Sequence, residues 1–191
     1  MKTILHLCAD IGSDSQPYRD AGKSNSWEEG KLYKVICVGE KDDVRTYIPP
    51  DNVYGIIANP PCTMFSLART RAKTPRDISG ALGVVSACLR IIYVCKPKFW
   101  LLENPMGLLR KYLGQPRITI QPYWFGEHYS KRTDLWGEFN IPQFSPCRLT
   151  KEEIHAMKQN TRKLPDIGLS VADRRAVAPK KFAQAFFESN P

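Results

Sequence analysis

Short apolar runs that each stop at a turn-forming residue constrain this chain more than any other feature. They fall at residues 3–8, 33–38, 54–58 and 99–102 and are bounded by Gly, Pro or Asp. Runs of this length and composition read as buried strands. Each is separated from the next by a stretch that could hold a helix. Between residues 78 and 95 the apolar positions are 78, 81, 82, 85, 88, 89, 92 and 95. That i, i+3, i+4 stripe predicts an amphipathic helix, and Pro97 stops it before the next strand. Strands alternating with helices imply an α/β protein whose central, mostly parallel sheet is flanked by helices. Such sheets take ligands at the carboxyl ends of their strands, so the residues just after each run are where chemistry is expected.

Composition narrows the class. The 191 residues suffice for one domain with a real core, and with 42% hydrophobic and 25% charged residues the chain is neither disordered nor collagen-like. No run reaches the roughly 18 apolar residues of a spanning helix, so a membrane-embedded protein is not expected. The opening MKTILHLCAD has a short apolar stretch that soon meets Asp10, which reads as a buried strand rather than a signal peptide. The six cysteines include no CxxC pair and most sit in apolar runs, which implies reduced thiols and a cytoplasmic setting. No His/Cys spacing resembles a zinc site, and no metal is expected. A formal charge of +9 favours a polyanionic partner.

After the first run comes Ala9-Asp10-Ile11-Gly12-Ser13, a small turn that lets a ligand approach the backbone, or simply a turn. After the second, Gly39-Glu40 precedes Asp42-Asp43, either a ribose-binding acidic end or a solvated loop. The third runs into Asn59-Pro60-Pro61-Cys62-Thr63-Met64-Phe65-Ser66. Two prolines stiffen the backbone directly before a cysteine, and a thiol near a helix N-terminus and Arg69 and Arg71 is placed to ionise and attack. A small buried cysteine in a turn fits the same residues. The fourth run leads into Glu103-Asn104-Pro105, a candidate acid entering a proline-anchored turn, or the cap of a helix at 106–113. The aromatics at 123–125 read better as an apolar anchor than as a base contact.

Together these pieces resemble the DNA cytosine-5 methyltransferase family. Pro60-Pro61-Cys62-Thr63-Met64-Phe65-Ser66 is similar to its PPCQxFS loop, and Glu103-Asn104-Pro105 to its ENV/ENP element. Lys131-Arg132-Thr133-Asp134-Leu135-Trp136 sits where the family has a basic strand, and residues 175–183 look like the C-terminal segment of small, often phage-borne members. The resemblance implies a Rossmann-like S-adenosylmethionine-dependent fold, a bacterial or phage-infected host cell, and DNA as substrate. It makes Cys62 the thiolate that adds at cytosine C6, Glu103 the group that holds N3 and the exocyclic amine, and Arg132 the residue that grips the target nucleotide. Lys131, Ser66 and Asn104 would contact substrate. The cofactor would lie over residues 8–13, with Cys8, Asp10, Gly12 and Ser13 beneath it, Pro61 nearby, Glu40 at the ribose and Asp43 at the adenine amine.

The departures are specific. Asp10 stands where FxGxG has its first glycine, Gly39 occupies the usual acidic position with Glu40 after it, and Thr63 replaces a glutamine. Within a single catalytic domain over 1–191, the short insert at 137–173 is too small for an independent recognition domain. That leaves relaxed specificity, a separate specificity subunit, or a substrate smaller than duplex DNA. The alternative function is a catalytically weak relative that binds DNA or nucleotide without turnover. A (D/N)PP(Y/F) amino-methyltransferase ranks third, because cysteine cannot stack on a flipped base. RNA cytosine-5 enzymes take their nucleophile from the later motif, which here holds Glu103-Asn104-Pro105.

Overall fold

The structure, a computed structural model, describes residues 1–9, 11–22, 32–39, 41–67, 69, 72–161 and 177–191. Its strands are β1 (Lys2–Leu7), β2 (Tyr33–Val38), β3 (Val53–Ala58), β4 (Phe99–Pro105), β5 (Ile118–Ile120) and β6 (Thr133–Glu138). They form one sheet in the order β2-β1-β3-β4-β6-β5. The first four are parallel, β6 is antiparallel to β4, and β5 is antiparallel to β6. The helices are α1 (Gln16–Ala21), α2 (Ile78–Cys95), α3 (Arg110–Leu113), α4 (Lys151–Thr161) and α5 (Lys180–Ser189).

Period-two alternation divides the strands between two cores. Leu5, Leu7, Ile56, Ala58 and Leu102 face α2, where they meet Val85, Cys88, Ile91 and Ile92. Ile4, Ile57, Phe99 and Leu101 face the other way, onto Tyr18 of α1 and Phe182 and Phe186 of α5. Tyr18 is fully buried, stacks edge-on against Tyr33, and donates its hydroxyl to the Asn190 carbonyl at 2.6 Å. This contact ties the end of the described chain to its first helix.

Three expectations need correction. No helix lies between β2 and β3 among the described residues: Asp43 closes a turn there by accepting the N–H groups of Thr46 and Tyr47, and Pro49-Pro50 then denies a helix its donors. β4 does not end at Leu102. Its parallel pairing with β3 ends there, but pairing with antiparallel β6 carries the strand on through Glu103-Asn104-Pro105, so this element lies in a strand and not in a turn. Finally, α2 has 18 residues and a mean hydropathy of 1.9, enough by length and composition to cross a membrane. It lies along the sheet, with Val85, Cys88, Ile91 and Ile92 in the core and Ser79, Ser86 and Arg90 exposed.

Candidate active site

The loop carrying Cys62 leaves β3 beside β1, where the Asn59 N–H donates to the Leu7 carbonyl at 3.0 Å. The Cys62 carbonyl then accepts the N–H groups of Phe65 (3.0 Å) and Ser66 (2.9 Å). This is one tight turn. The helix N-terminus expected next to the thiol is not there, because the next helix, α2, begins at Ile78 and is capped by Asp77. Arg69 is occupied with Thr74, and Arg71 lies outside the described residues. The arginine that serves the loop is Arg76, which donates to the carbonyls of Met64 (2.5 Å) and Ser66 (2.9 Å). Pro61 is exposed at the loop surface, and Cys62 is half-buried behind it.

Three contacts clamp this loop to the Glu103-Asn104-Pro105 element. Asn104 Nδ2 donates to the Pro60 carbonyl at 2.8 Å, and the Leu108 N–H donates to the Phe65 carbonyl at 2.9 Å. Phe65 is fully buried, and the backbone at Gly107 passes so close to its carbonyl that a Cβ at 107 would overlap it. Asn104 is itself buried, and its Oδ1 is the one buried side-chain oxygen or nitrogen without a hydrogen bond among the described residues. Its side chain therefore serves the loop rather than an open substrate surface.

The residues two past the core positions Ile4, Ile57 and Leu101 are His6, Asn59 and Glu103. They meet at the carboxyl ends of β1, β3 and β4. Asn59 Nδ2 donates to Glu103 Oε2 and to Asp14 Oδ2, each at 3.2 Å. Its Oδ1 must then accept from His6 Nε2 (2.7 Å), which leaves His6 Nδ1 to accept from the Ser15 hydroxyl at 2.9 Å. Burial pushes His6 down to about 4, so the ring is neutral near pH 7 and this tautomer is fixed. Asp14, buried beside Glu103, is pushed up to about 7 by loss of solvent first and by the Glu103 charge second. Lys131 Nζ lies 3.9 Å from Glu103 Oε1. The Arg132 carbonyl accepts the Met106 N–H at 2.9 Å while its side chain is exposed. Cys62, Glu103, Asn104, Lys131 and Arg132 are thus brought to one end of the sheet.

Sequence reasoning passed over His6, Asp14 and the Asn59 side chain. His6 and Asn59 were detectable: both continue the alternation of a buried strand by two residues, where a polar side chain needs a partner. Asp14 carried no such signal, since it sits in a 3₁₀ turn at Ser13–Ser15. Also missed was an ion pair behind the site, between a half-buried guanidinium and a buried carboxylate. Arg110 grips Asp134 with two nitrogens at 2.6 and 2.5 Å, and Thr119 donates to the same carboxylate at 2.8 Å.

The cofactor side is built differently. Cys8 has φ 53° and Gly12 φ 67°, so the chain doubles back after β1. Arg19 lies over the turn, donating to the Gly12 carbonyl and to Ser15 Oγ (3.2 Å). Ser13 Oγ accepts the Ala178 N–H at 2.9 Å and so anchors the start of α5. Gly39 packs against this turn so closely that a Cβ there would lie 2.6 Å from the Ala9 carbonyl, which explains why the acidic residue does not stand at 39. Asp43 is exposed and held by Arg45 at 2.8–3.0 Å, which keeps its carboxyl below the usual range. Asp10 and Glu40 lie outside the described residues.

Residues 31–121 match the family model of the C-5 cytosine-specific DNA methylases. A Type II methyltransferase, M1.HphI from Haemophilus parahaemolyticus, is 25% identical over 132 residues, which cover 66% of this chain and 34% of that protein. A crystal structure of a protein assigned as a DNA modification methyltransferase from an E. coli prophage superposes with a TM-score of 0.50 at 16% identity. That superposition covers 87% of this chain and 56% of the other, and it bears on the fold: a methyltransferase-type α/β sheet flanked by helices. The chain thus spans about a third of the length of the first relative and just over half of the second. The matched segment contains Cys62, Glu103 and Asn104, whereas residues 8–13, Lys131 and Arg132 lie beyond it. The family similarity thus covers residues 31–121, the segment that holds both the Cys62 loop and the Glu103-Asn104-Pro105 element.

Proposed function

We propose that this chain transfers a methyl group from S-adenosylmethionine to C5 of cytosine in DNA, with Cys62 as the nucleophile. The observation that carries the reading is the clamp between the two motif segments, Asn104 Nδ2 on the Pro60 carbonyl and the Leu108 N–H on the Phe65 carbonyl. It fixes a cysteine and a carboxylate on one rigid frame, inside the residues that match the family.

Cytosine C5 is too weak a nucleophile to take a methyl group unaided. The Cys62 thiolate adds to C6 and pushes the ring electrons onto C5, which then attacks an electrophilic methyl; S-adenosylmethionine, when bound, supplies that methyl. Glu103, held by Asn59 and Lys131, holds N3 and the exocyclic amine and so eases addition at C6. Loss of the C5 proton then expels the thiolate and restores the aromatic ring. In duplex DNA the base has to leave the stack to reach Cys62, with Arg132, exposed beside the site, gripping the nucleotide or its phosphate. S-adenosylmethionine would be held by the turn carrying Cys8, Gly12 and Ser13, with Pro61 and Asp43 as further contacts; the resemblance adds Asp10 and Glu40, which lie outside the described residues.

The segment at 137–173 begins inside β6 and includes α4, and it is too short for a recognition domain of its own. That leaves the three alternatives open: relaxed specificity, a separate specificity subunit, or a substrate smaller than duplex DNA. The test is transfer of labelled methyl to unmodified DNA, with the product digested to nucleosides. Label in 5-methylcytosine from wild type and none from Cys62→Ala supports the reading. Label in N6-methyladenine, or salt-sensitive DNA binding with no transfer, overturns it.

A further inference from the structure

The reaction just proposed makes no use of Asp14, a carboxyl 6% exposed that shares a hydrogen-bond donor with Glu103. An amide nitrogen carries two hydrogens, and Asn59 Nδ2 gives one to each carboxyl at 3.2 Å. His6 holds the amide in this orientation through its Oδ1, and the ring is in turn set by Ser15. The chain Ser15–His6–Asn59 therefore runs from the cofactor turn to the group that holds the base edge. We propose that Asp14 is a positioning residue for Glu103, acting through Asn59, and that the charge it carries decides how firmly Asn59 holds Glu103. The inference rests on the methyl-transfer reading above for its consequence, but not for its contact.

The physical basis is competition for one nitrogen. A hydrogen bond to a carboxylate is roughly twice as strong as one to a neutral carboxyl. While Asp14 is protonated, Asn59 favours Glu103. Once Asp14 ionises, it pulls the amide toward itself, and its charge repels Glu103 directly. The groups that face Asp14 are few. They are neutral His6 on β1, Arg19 of α1 across Ser15, Glu103 on β4, Lys131 ahead of β6 and Tyr129 in the loop before it. Burial pushes the Tyr129 hydroxyl far above neutrality, so it stays uncharged. Among the titratable groups Asp14 is the one pushed to about 7, so the switch falls in the neutral range. From the residues just ahead of α5 the contact is the Ala178 N–H on Ser13, which carries no charge.

The test pairs two readouts on wild type, Asp14→Asn and Asn59→Ala. Asparagine at 14 keeps an oxygen for Asn59 and removes only the charge. In protein labelled at asparagine, the Asn59 side-chain amide resonance in wild type is expected to move through a step near pH 7, absent in Asp14→Asn. In methyl transfer, kcat in wild type falls as pH rises through the same range. Asp14→Asn loses that fall, while its KM for S-adenosylmethionine stays within about twofold. Asn59→Ala lowers kcat on the order of tenfold, less than the roughly 10²-fold that a positioned acid–base group itself contributes, because Asn59 acts through Glu103. A step that persists in Asp14→Asn, or an Asn59 signal that ignores pH, overturns the proposal whether or not the enzyme turns over. Wild type that shows the step but transfers no methyl sinks the function reading and keeps the bridge. An unchanged pH profile in Asp14→Asn with normal turnover overturns the positioning role.

Discussion

Asn104 reaches back 44 residues to hold the Pro60 carbonyl, whereas Asp43 finds its partner two residues on, at Arg45. The contrast runs through both halves of the site. On the nucleophile side, Asn59 bridges Asp14 and Glu103, Arg110 grips Asp134, and Phe65 is clamped to the turn after Glu103-Asn104-Pro105. These ties join elements distant in the chain and are at least partly shielded from solvent. Around the turn after β1, Arg19 of α1 reaches back to Gly12 and Ser15, and Asp43 and Arg45 stand in solvent; the long-range tie there is the Ala178 N–H on Ser13. Long-range buried contacts make geometry depend on the whole fold, while local exposed ones bind weakly and can be rearranged. Under the proposed function, Cys62 and Glu103 share a cross-linked frame, while Asp43 and Arg45 stand on an adjustable surface loop.

Substitutions should therefore hurt in proportion to how far their partners lie. The largest effect is expected at Glu103. Glu103→Gln keeps the Asn59 contact but loses the carboxyl, and kcat should fall by about 10² to 10⁴ with little change in stability, as steady-state kinetics would record. Next comes Arg110→Ala, which strands the fully buried Asp134 carboxylate. A loss of about 3–5 kcal/mol in denaturant unfolding is expected, since an uncompensated buried charge costs far more than a surface pair contributes.

Asp14→Asn should sharpen the comparison through pH. Asp14 holds its proton up to about 7 when folded but ionises near 3.8 when unfolded, so the folded state binds the extra proton between those values. Stability is thus lost as pH rises from about 4 to 7, and the variant is spared that loss. The gap between variant and wild type should widen over this range by a few kcal/mol and then stay constant. His6 works in the opposite sense. Its folded value of about 4 lies below the ordinary 6.5, so its contribution is lost as pH falls from 6.5 toward 4. The smallest effect belongs to Arg45→Ala. Its partner is local and exposed, so the melting temperature should not move, and affinity for S-adenosylmethionine should change by less than about threefold, read by calorimetry. A large effect there would break the contrast between the two sides.

What the sequence revealed follows the same line. Apolar runs and the stripe at 78–95 located four strands and the long helix α2, because burial imposes periods that a single chain displays. The run at 99–102 ended where parallel pairing ends, but the strand continued because β6 supplies partners the sequence does not announce. Three-residue β5 was invisible for the same reason: its existence depends on β6 and not on its own pattern. Cys62 and Glu103 stood out by motif. His6 and Asn59 were readable by extending the alternation two residues beyond the core. Asp14 was not, since its significance lies wholly in what the fold brings beside it.

The most direct measurement is capture of the Cys62 adduct itself. In DNA whose target cytosine carries fluorine at C5, the last step cannot occur, because no proton is there to leave once the methyl has been transferred. Wild type incubated with such DNA and S-adenosylmethionine should give a species of the summed mass on a denaturing gel, with the cross-linked peptide mapping to Cys62. Cys62→Ala should give none. A cross-link at another cysteine, or methyl transfer to ordinary cytosine by Cys62→Ala, would contradict the assignment of Cys62 as the attacking group.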